Sequence, residues 1–227
     1  MVPVMDETER VATLAEPLRR RTYDHVAAHP EGVNRDGTAE TLGVSRSVAA
    51  FHLDKLVEAG LLQVDFRRPP GRRGPGAGRP AKWYRRAAGE VTVSVPERRY
   101  DLAASLLATA IERAGNAGVT VTTALREAAR ERGRRIGAEV GAVGGRSGAL
   151  EERLVEVLAT YGYEPRVTDG VITLANCPFH LLAEAHRRLV CTMNHELLCG
   201  LAEEAGLPDG AARLAPAPGR CCVTLAA

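Results

Sequence analysis

The sequence predicts a mainly α-helical protein with α+β parts: an N-terminal winged helix-turn-helix, central dimerisation helices and a small α/β C-terminal sensor domain. Three observations support this prediction. Short helical patterns around a glycine turn precede two strand-like runs and a basic loop, two longer helical patterns follow, and cysteine and histidine are concentrated near the end of the chain. We expect the corresponding domains to span residues 1–90, 91–145 and 146–227.

Length and composition are those of an ordinary globular protein. The chain has 227 residues, 45% of them hydrophobic and 26% charged, which excludes a disordered or collagen-like class. Its first residues, MVPVMDETERV, lack a basic region and an apolar run, and no window approaches the roughly 18 apolar residues of a membrane helix. We therefore expect a soluble, cytoplasmic protein without a signal peptide or membrane span.

Three helices are predicted in the N-terminal region. The first covers residues 14 to 29 and ends before Pro30, because proline cannot donate the helical hydrogen bond. GTAETLGV is a short second helix closed by Gly43, and Ser45 is placed to cap the third, RSVAAFHLDKLVEAG. The apolar stripe of this third helix is predicted to consist of Val48, Leu53, Leu56 and Val57. Two helices joined by a short glycine turn predict a helix-turn-helix.

The third helix is predicted to enter the major groove of DNA with its capped end nearest the bases. Its side chains away from the apolar stripe are the candidates for DNA contact. We expect Arg46, Ser47 and Phe51 near base edges and Lys55 near a phosphate. Ser45, at the cap of the helix, is also expected to belong to the DNA-binding surface. His52 is expected to pack beside Leu53 inside the domain.

Two strands, LLQVDF and KWYRRA, are predicted around a loop rich in glycine, proline and arginine. Residues 66 to 86 include eight basic side chains and no acidic one, which indicates a polyanionic partner. The arginines expected to reach a neighbouring minor groove are Arg67, Arg68, Arg72, Arg73 and Arg79. The alternatives are a solvated basic loop and a winged helix used only for protein contacts.

The order of these motifs is similar to that of a known family. LGVSRSVAAFHLDKLVEAGLL followed by GRPAKWY resembles the winged-helix regulators of the ArsR superfamily over residues 10 to 86. The resemblance implies a transcription regulator that binds double-stranded DNA.

Helical periodicity in residues 97–115 and 122–140 predicts two central helices. Winged helices usually read two half-sites related by a twofold axis, so these helices are candidates for holding a homodimer on a palindromic operator. Ordinary packing within one chain is the alternative. GAVGGRSGA, residues 141–149, is predicted to be a flexible joint before the last domain.

The tail is predicted to contain a helix ending near Gly162, a β-hairpin, a helical stretch and a last strand carrying Cys221 and Cys222. The segment NCPFHLLAEAHRRLVCTMNHELLC holds three of the five cysteines and three of the six histidines. In one straight helix, Cys177 and Cys191 would lie roughly 20 Å apart, too far for one metal. Joint ligation therefore predicts a break near residues 186–189. Cys191 and His195 share a face of the second half and could form a site by themselves.

The tail also resembles a known sensor region. NCPF, VC and GRCCV are similar to motifs of the SufR-type regulators, whose tail cysteines hold an iron–sulfur cluster. The resemblance implies that Cys177, Cys191 and Cys221 are thiolate ligands of an iron–sulfur cluster, of the [4Fe-4S] type. His180 is our preferred fourth ligand, since Cys-x-x-His at a helix start lets two side chains converge. The other candidates for that position are Cys222, Cys199, His195 and solvent.

Two alternatives to the cluster remain open at this point. Zinc accepts the same thiolate and imidazole ligands, and buried cysteines also occur as small apolar residues without a metal. The sequence has no nucleophile–base pair at a recognisable elbow, no phosphate-binding glycine loop and no paired carboxylates, so we do not expect an enzyme. The competing hypothesis is a metalloprotein whose tail carries out thiol chemistry.

Overall fold

The computed structural model describes residues 5–67, 80–142 and 149–226 of the chain. Two compact units are present, residues 1–93 and residues 94–227. Within the described ranges, no helix combines the length and the apolar character needed to cross a membrane.

The first unit combines short helices with a three-stranded antiparallel sheet. Its described elements are α1 (Glu7–Ala12), a 3₁₀ turn (Thr13–Ala15), α2 (Pro17–Ala27), β1 (Val33–Asn34), α3 (Arg35–Leu42), α4 (Arg46–Glu58), β2 (Leu62–Arg67) and β3 (Ala81–Arg86). β3 is the central strand, and β1 and β2 pair with its two edges. The core of the unit is built around Leu53, Leu56 and Tyr84, which are fully buried.

The predicted start of the first helix at residue 14 is wrong, because Thr13–Ala15 form a 3₁₀ turn and α2 begins at Pro17, where the Glu16 carboxylate accepts hydrogen bonds from the Leu18 and Arg19 amides. The predicted C-terminal ends of the second and third helices are confirmed. Gly43 and Gly60 both adopt a φ of +66°, the left-handed conformation that glycine tolerates after a helix. Ser45 Oγ accepts a hydrogen bond from the Val48 amide at 3.3 Å and caps α4. One member of the predicted apolar stripe is wrong, because Val48 is 37% exposed and Ala49 occupies the core position.

The second unit packs four longer helices and a short one with a four-stranded antiparallel sheet. Its described elements are α5 (Tyr100–Ala117), α6 (Val121–Ala142), α7 (Leu150–Thr160), β4 (Pro165–Thr168), β5 (Val171–Leu174), α8 (His180–Ala185), α9 (Arg187–Glu204), β6 (Ala212–Leu214) and β7 (Val223–Ala226). The strand order is β4-β5-β7-β6. The sheet and the helices enclose one hydrophobic core.

The helix break predicted near residues 186–189 is present. His186, with φ −132° and ψ 48°, separates α8 from α9. The predicted strand position of Cys221 and Cys222 is wrong, since β7 begins at Val223. Both residues lie in the turn before it, where the Cys221 amide donates to the Leu174 carbonyl at 2.8 Å.

α6 and α9 pack in direct backbone contact through glycine. A Cβ atom added to Gly133 would lie 1.9 Å from the Leu197 carbonyl oxygen, and one added to Gly200 would lie 2.0 Å from the Arg130 carbonyl oxygen. This contact joins the central helices to the tail in one core. The structure therefore groups residues 94–142 with the tail, where the sequence analysis placed a boundary near residue 145. Residues 143–148 of the predicted joint lie outside the described residues.

Candidate nucleic-acid interface and thiol pocket

The outward face of α4 carries the side chains predicted to contact DNA. Phe51 is 53% exposed, although it is a large aromatic residue. Arg46 Nε lies 2.6 Å from Asp36 Oδ1, and Ser47 Oγ lies 2.9 Å from Ser45 Oγ at the helix start. Lys55 is also exposed, 2.6 Å from Glu58. Exposed ion pairs of this kind contribute about 0–1 kcal/mol, so Arg46 and Lys55 can give up these partners at little cost when DNA binds.

Asp54 connects α4 to the wing strand β3 and to α3. Its Oδ1 accepts hydrogen bonds from the Tyr84 hydroxyl at 2.8 Å and from Lys82 Nζ at 3.2 Å, and Arg35 Nη2 donates to its Oδ2 at 2.5 Å. Burial acts to raise the pKa of Asp54, but these hydrogen bonds and the charge of Arg35 outweigh it, and the pKa is lowered. Burial and the bond to Asp54 raise the pKa of Tyr84 to about 12. These contacts fix the angle between α4 and the strands.

Only the first of the five predicted wing arginines can be placed. Arg67, at the end of β2, has its guanidinium carbon 4.9 Å from the centroid of the Trp83 ring and a nitrogen 3.7 Å from Asp65. The other four, Arg68, Arg72, Arg73 and Arg79, lie outside the described residues.

The second candidate site is a cavity of about 830 Å³ in the tail, which we call the thiol pocket. Four of the five cysteines line it, together with His180. Cys177 comes from the loop after β5, Cys191 from the N-terminal part of α9, and Cys221 and Cys222 from the segment just before β7. The break at His186 allows His180 and Cys191, on two different helices, to line the same cavity.

The thiols of Cys177, Cys221 and Cys222 influence one another's ionisation. The neighbouring Cys221 thiol and burial raise the pKa of Cys177 well above its ordinary value. The Cys177 thiol lowers the pKa of Cys221, but the Cys222 thiol and burial outweigh it and raise that pKa to about 11. These two thiols are therefore protonated at neutral pH.

Two buried polar side chains, Asn194 and Tyr163, position the Cys221 thiol. Asn194, on α9, is 1% exposed, and its Nδ2 donates to Cys221 Sγ at 3.1 Å. The Tyr163 hydroxyl in turn donates to Asn194 Oδ1 at 2.5 Å. Because buried polar groups with satisfied partners have few alternative positions, this pair fixes the direction in which the sulfur points.

The side chains around the thiol pocket are predominantly basic. Four arginines line it, namely Arg98, Arg187, Arg188 and Arg220. Glu184 is the acidic residue of the lining, 3.3 Å from His180 Nε2. A positive surrounding of this kind stabilises thiolates and anionic groups.

The remaining soft ligands lie elsewhere on α9. His195 Nε2 is 3.6 Å from Cys199 Sγ and 3.3 Å from the Ala212 carbonyl oxygen, and neither side chain lines the thiol pocket. Cys191 and His195 therefore face different surroundings. Across the ranges 5–67, 80–142 and 149–226, no three His, Cys, Asp or Glu side chains stand in the arrangement of a formed metal site.

Comparison with known proteins gives one finding, which concerns the first unit. Residues 14–65 match a family model described as a helix-turn-helix domain. This helix-turn-helix domain includes α2, α3, α4 and most of β2, and it indicates a DNA-binding regulator. No curated protein and no solved structure matches the chain.

Several residues that build these sites were not selected by sequence analysis. Asp54 lies off the apolar stripe of α4, but its bond to Tyr84 depends on how the helix and the strand are placed against each other. Arg98, Asn176 and Asn194 carry no sequence signal of their own, because their partners are up to 79 residues away in the chain. The structure is needed to assign them.

Proposed function

We propose that the chain is a homodimeric transcription regulator that binds a palindromic operator through its helix-turn-helix domain and couples its DNA affinity to an iron–sulfur cluster in the thiol pocket. The observation that supports this proposal is that Cys177, Cys191 and Cys221 all line one cavity, although up to 44 residues separate them in the sequence. Thiolates are the common protein ligands of iron–sulfur clusters.

The donor set fits such a group. Cys177, Cys191 and Cys221 would hold it, and His180 or Cys222 at the same cavity would supply a fourth ligand. The group would provide an oxidation-sensitive centre. Binding requires the chain to release the thiol protons and to turn the sulfur atoms toward a common point, since the ligands must be thiolates. The charge of Arg98 favours release of the proton from Cys177.

Zinc is the second candidate for the same pocket, and the position of His180 favours it. Three cysteines and one histidine make a closed tetrahedral zinc site. The cluster and zinc have different consequences, because a closed zinc site would be redox-silent and structural.

On the DNA side, the proposal assigns base contacts to Arg46, Ser47 and Phe51 and a phosphate contact to Lys55, supported by their exposure on α4. The contacts with Asp54 keep this helix and the wing strands at one angle, so both can bind neighbouring grooves together. A homodimer would place two such helices on half-sites about one helical turn apart.

The test of the cofactor is the composition of anaerobically purified protein. We expect iron and acid-labile sulfide in the wild-type protein, and their loss in Cys191→Ala, whose sulfur lines the pocket. Cys199→Ala is the matched control, since Cys199 lies on the same helix outside the lining, and it should retain both. Zinc in place of iron would select the second candidate, and absence of all metal from the wild-type protein would refute both.

A further inference from the structure

The segment that enters the second unit is hydrogen-bonded to the segment that contains Cys177. The Asn176 side chain donates to the Glu97 carbonyl at 3.0 Å, Arg98 Nη1 donates to the Cys177 carbonyl at 2.9 Å, and the Arg99 amide donates to the Pro178 carbonyl at 3.0 Å. Arg98 Nη1 also donates to Asn176 Oδ1. We call these contacts between residues 97–99 and 176–178 the linker clasp.

The side-chain amide of Asn176 is buried and hydrogen-bonded within and beside the linker clasp. Its side chain is buried, with 7% of the residue exposed. Nδ2 donates to both the Glu97 and the Gly162 carbonyls, while Oδ1 accepts from Arg98. Both Nδ2 and Oδ1 of the amide thus have hydrogen-bond partners, so a rotation of this side chain breaks several bonds at once. Asn176 therefore connects the segment around Cys177 directly to Glu97 and Arg98.

The linker clasp joins the thiol pocket to the chain that leads to the helix-turn-helix domain. Cys177 lines the pocket with its sulfur and holds Arg98 with its carbonyl oxygen. Arg98 also lines the pocket, and its charge acts on the Cys177 thiol. The first unit ends at Val93, and Ser94 Oγ accepts a hydrogen bond from the Arg98 amide at 2.7 Å. Only a few residues separate the pocket from the connection between the two units.

We propose that the linker clasp transmits the state of the Cys177 thiol to the connection with the helix-turn-helix domain, with Arg98 and Asn176 as positioning residues. A ligand or a covalent adduct on the Cys177 sulfur moves the backbone of residues 176–178. Hydrogen bonds weaken steeply when their distance and angle change, so the bonds to residues 97–99 change with it. This proposal rests on the proposed function in one respect only, the identity of the group that binds the thiol pocket in the cell.

The test uses hydrogen–deuterium exchange of the full chain, measured on residues 94–99. Two treatments alter the thiols independently: anaerobic loading with ferrous iron, ferric iron and sulfide, and binding of methylmercury, a small soft cation that displaces the thiol proton and bonds to the sulfur. Mass spectrometry identifies the modified residues. In the wild-type protein, we expect modification of Cys177 to change the exchange rate of the linker amides about tenfold, the scale of one hydrogen bond to a charged group.

Arg98→Ala is the test variant, and Arg188→Ala is its matched control. Both remove one guanidinium from the pocket lining, but only Arg98 takes part in the linker clasp. In Arg98→Ala, the linker amides should exchange faster before treatment and no longer respond to it, whereas Arg188→Ala should respond as the wild-type protein does. If the circular dichroism spectrum of Arg98→Ala is altered, Arg98→Lys takes its place, since it keeps the charge and lacks the guanidinium Nη1 that donates to Asn176 and Cys177.

The outcomes separate this proposal from the proposed function. An unchanged wild-type linker after verified modification of Cys177, or a full response in folded Arg98→Ala, would overturn the linker clasp as a transmitter. Failure to load iron, together with a linker response to methylmercury on Cys177, would refute the cluster and leave the transmitter in place.

Discussion

Gly133→Ala is predicted to destabilise the second unit, although alanine favours helices. An exposed glycine in a helix costs about 1 kcal/mol relative to alanine, so propensity alone would stabilise α6. At Gly133, however, the new Cβ would lie 1.9 Å from the Leu197 carbonyl oxygen, compared with 3.4 Å or more in ordinary contact. The helices would have to separate by about 1.5 Å, the difference between these distances. Overpacking of this kind costs about 1–3 kcal/mol and occasionally more.

We therefore expect a net loss of about 2 kcal/mol in the free energy of unfolding of the second unit. The two units can be followed separately in the full chain. Trp83, the single tryptophan, lies on β3 and reports the first unit by fluorescence, while circular dichroism also follows the helices of the second. The denaturant midpoint should fall in circular dichroism and stay unchanged in fluorescence.

Gly141→Ala is the control for this prediction. It lies on the same helix, and a Cβ there would meet no atom within 4 Å, so it should be neutral or stabilise α6 by up to about 1 kcal/mol. Equal stability of Gly133→Ala and wild-type protein would contradict the backbone contact between α6 and α9. The same separation would displace Cys191, which lies on α9, so Gly133→Ala should also retain less metal than Gly141→Ala.

Three further predictions concern single side chains. Phe51→Ala should weaken DNA binding with little change in the Trp83 unfolding midpoint, because the ring is exposed; a large loss of stability would show that it is part of the core. Asp54→Asn should destabilise the first unit at neutral pH. The difference in stability between this variant and the wild-type protein should shrink as pH falls below 3.8, the ordinary pKa of the carboxyl group, because a carboxylate with a lowered pKa loses its stabilising effect on protonation. A stability difference independent of pH would argue against the ion pairs. Asn194→Ala should cost about 1–3 kcal/mol in the second unit, because the buried Tyr163 hydroxyl loses its acceptor; thermal unfolding followed by circular dichroism measures this, and an unchanged midpoint would contradict it.

The sequence was most informative where the signal is local. Ser45 and Gly43 are next to the helix ends that they determine, so both were identified from their positions alone. The break at His186 was predicted by a geometric requirement, since one straight helix could not bring two cysteines together. The two-residue strand β1 was missed, because such a short segment has no measurable periodicity.

The rest could not be predicted, because it depends on contacts between distant parts of the chain. In the sequence, Gly133 and Gly200 are simply residues with low helix propensity in two separate helices. Only the packing of α6 against α9 shows that these glycines permit backbone contact. The assignment of the central helices to the core of the tail follows from that crossing. Cys191 and His195 share a face by spacing alone, yet the pocket contains only Cys191, because the α8–α9 break and the turn before β7 define where the cavity lies.

The affinity for DNA with the thiol pocket loaded and unloaded tests the central claim most directly. Genomic fragments selected by the protein would supply the operator, and the Kd would be measured anaerobically at one fixed salt concentration, because binding to DNA depends strongly on salt. We predict that Kd differs about 5- to 150-fold between protein loaded with iron and sulfide and protein stripped by a chelator. Equal Kd values for the two forms, with loading verified by iron content, would contradict control of DNA binding by the pocket.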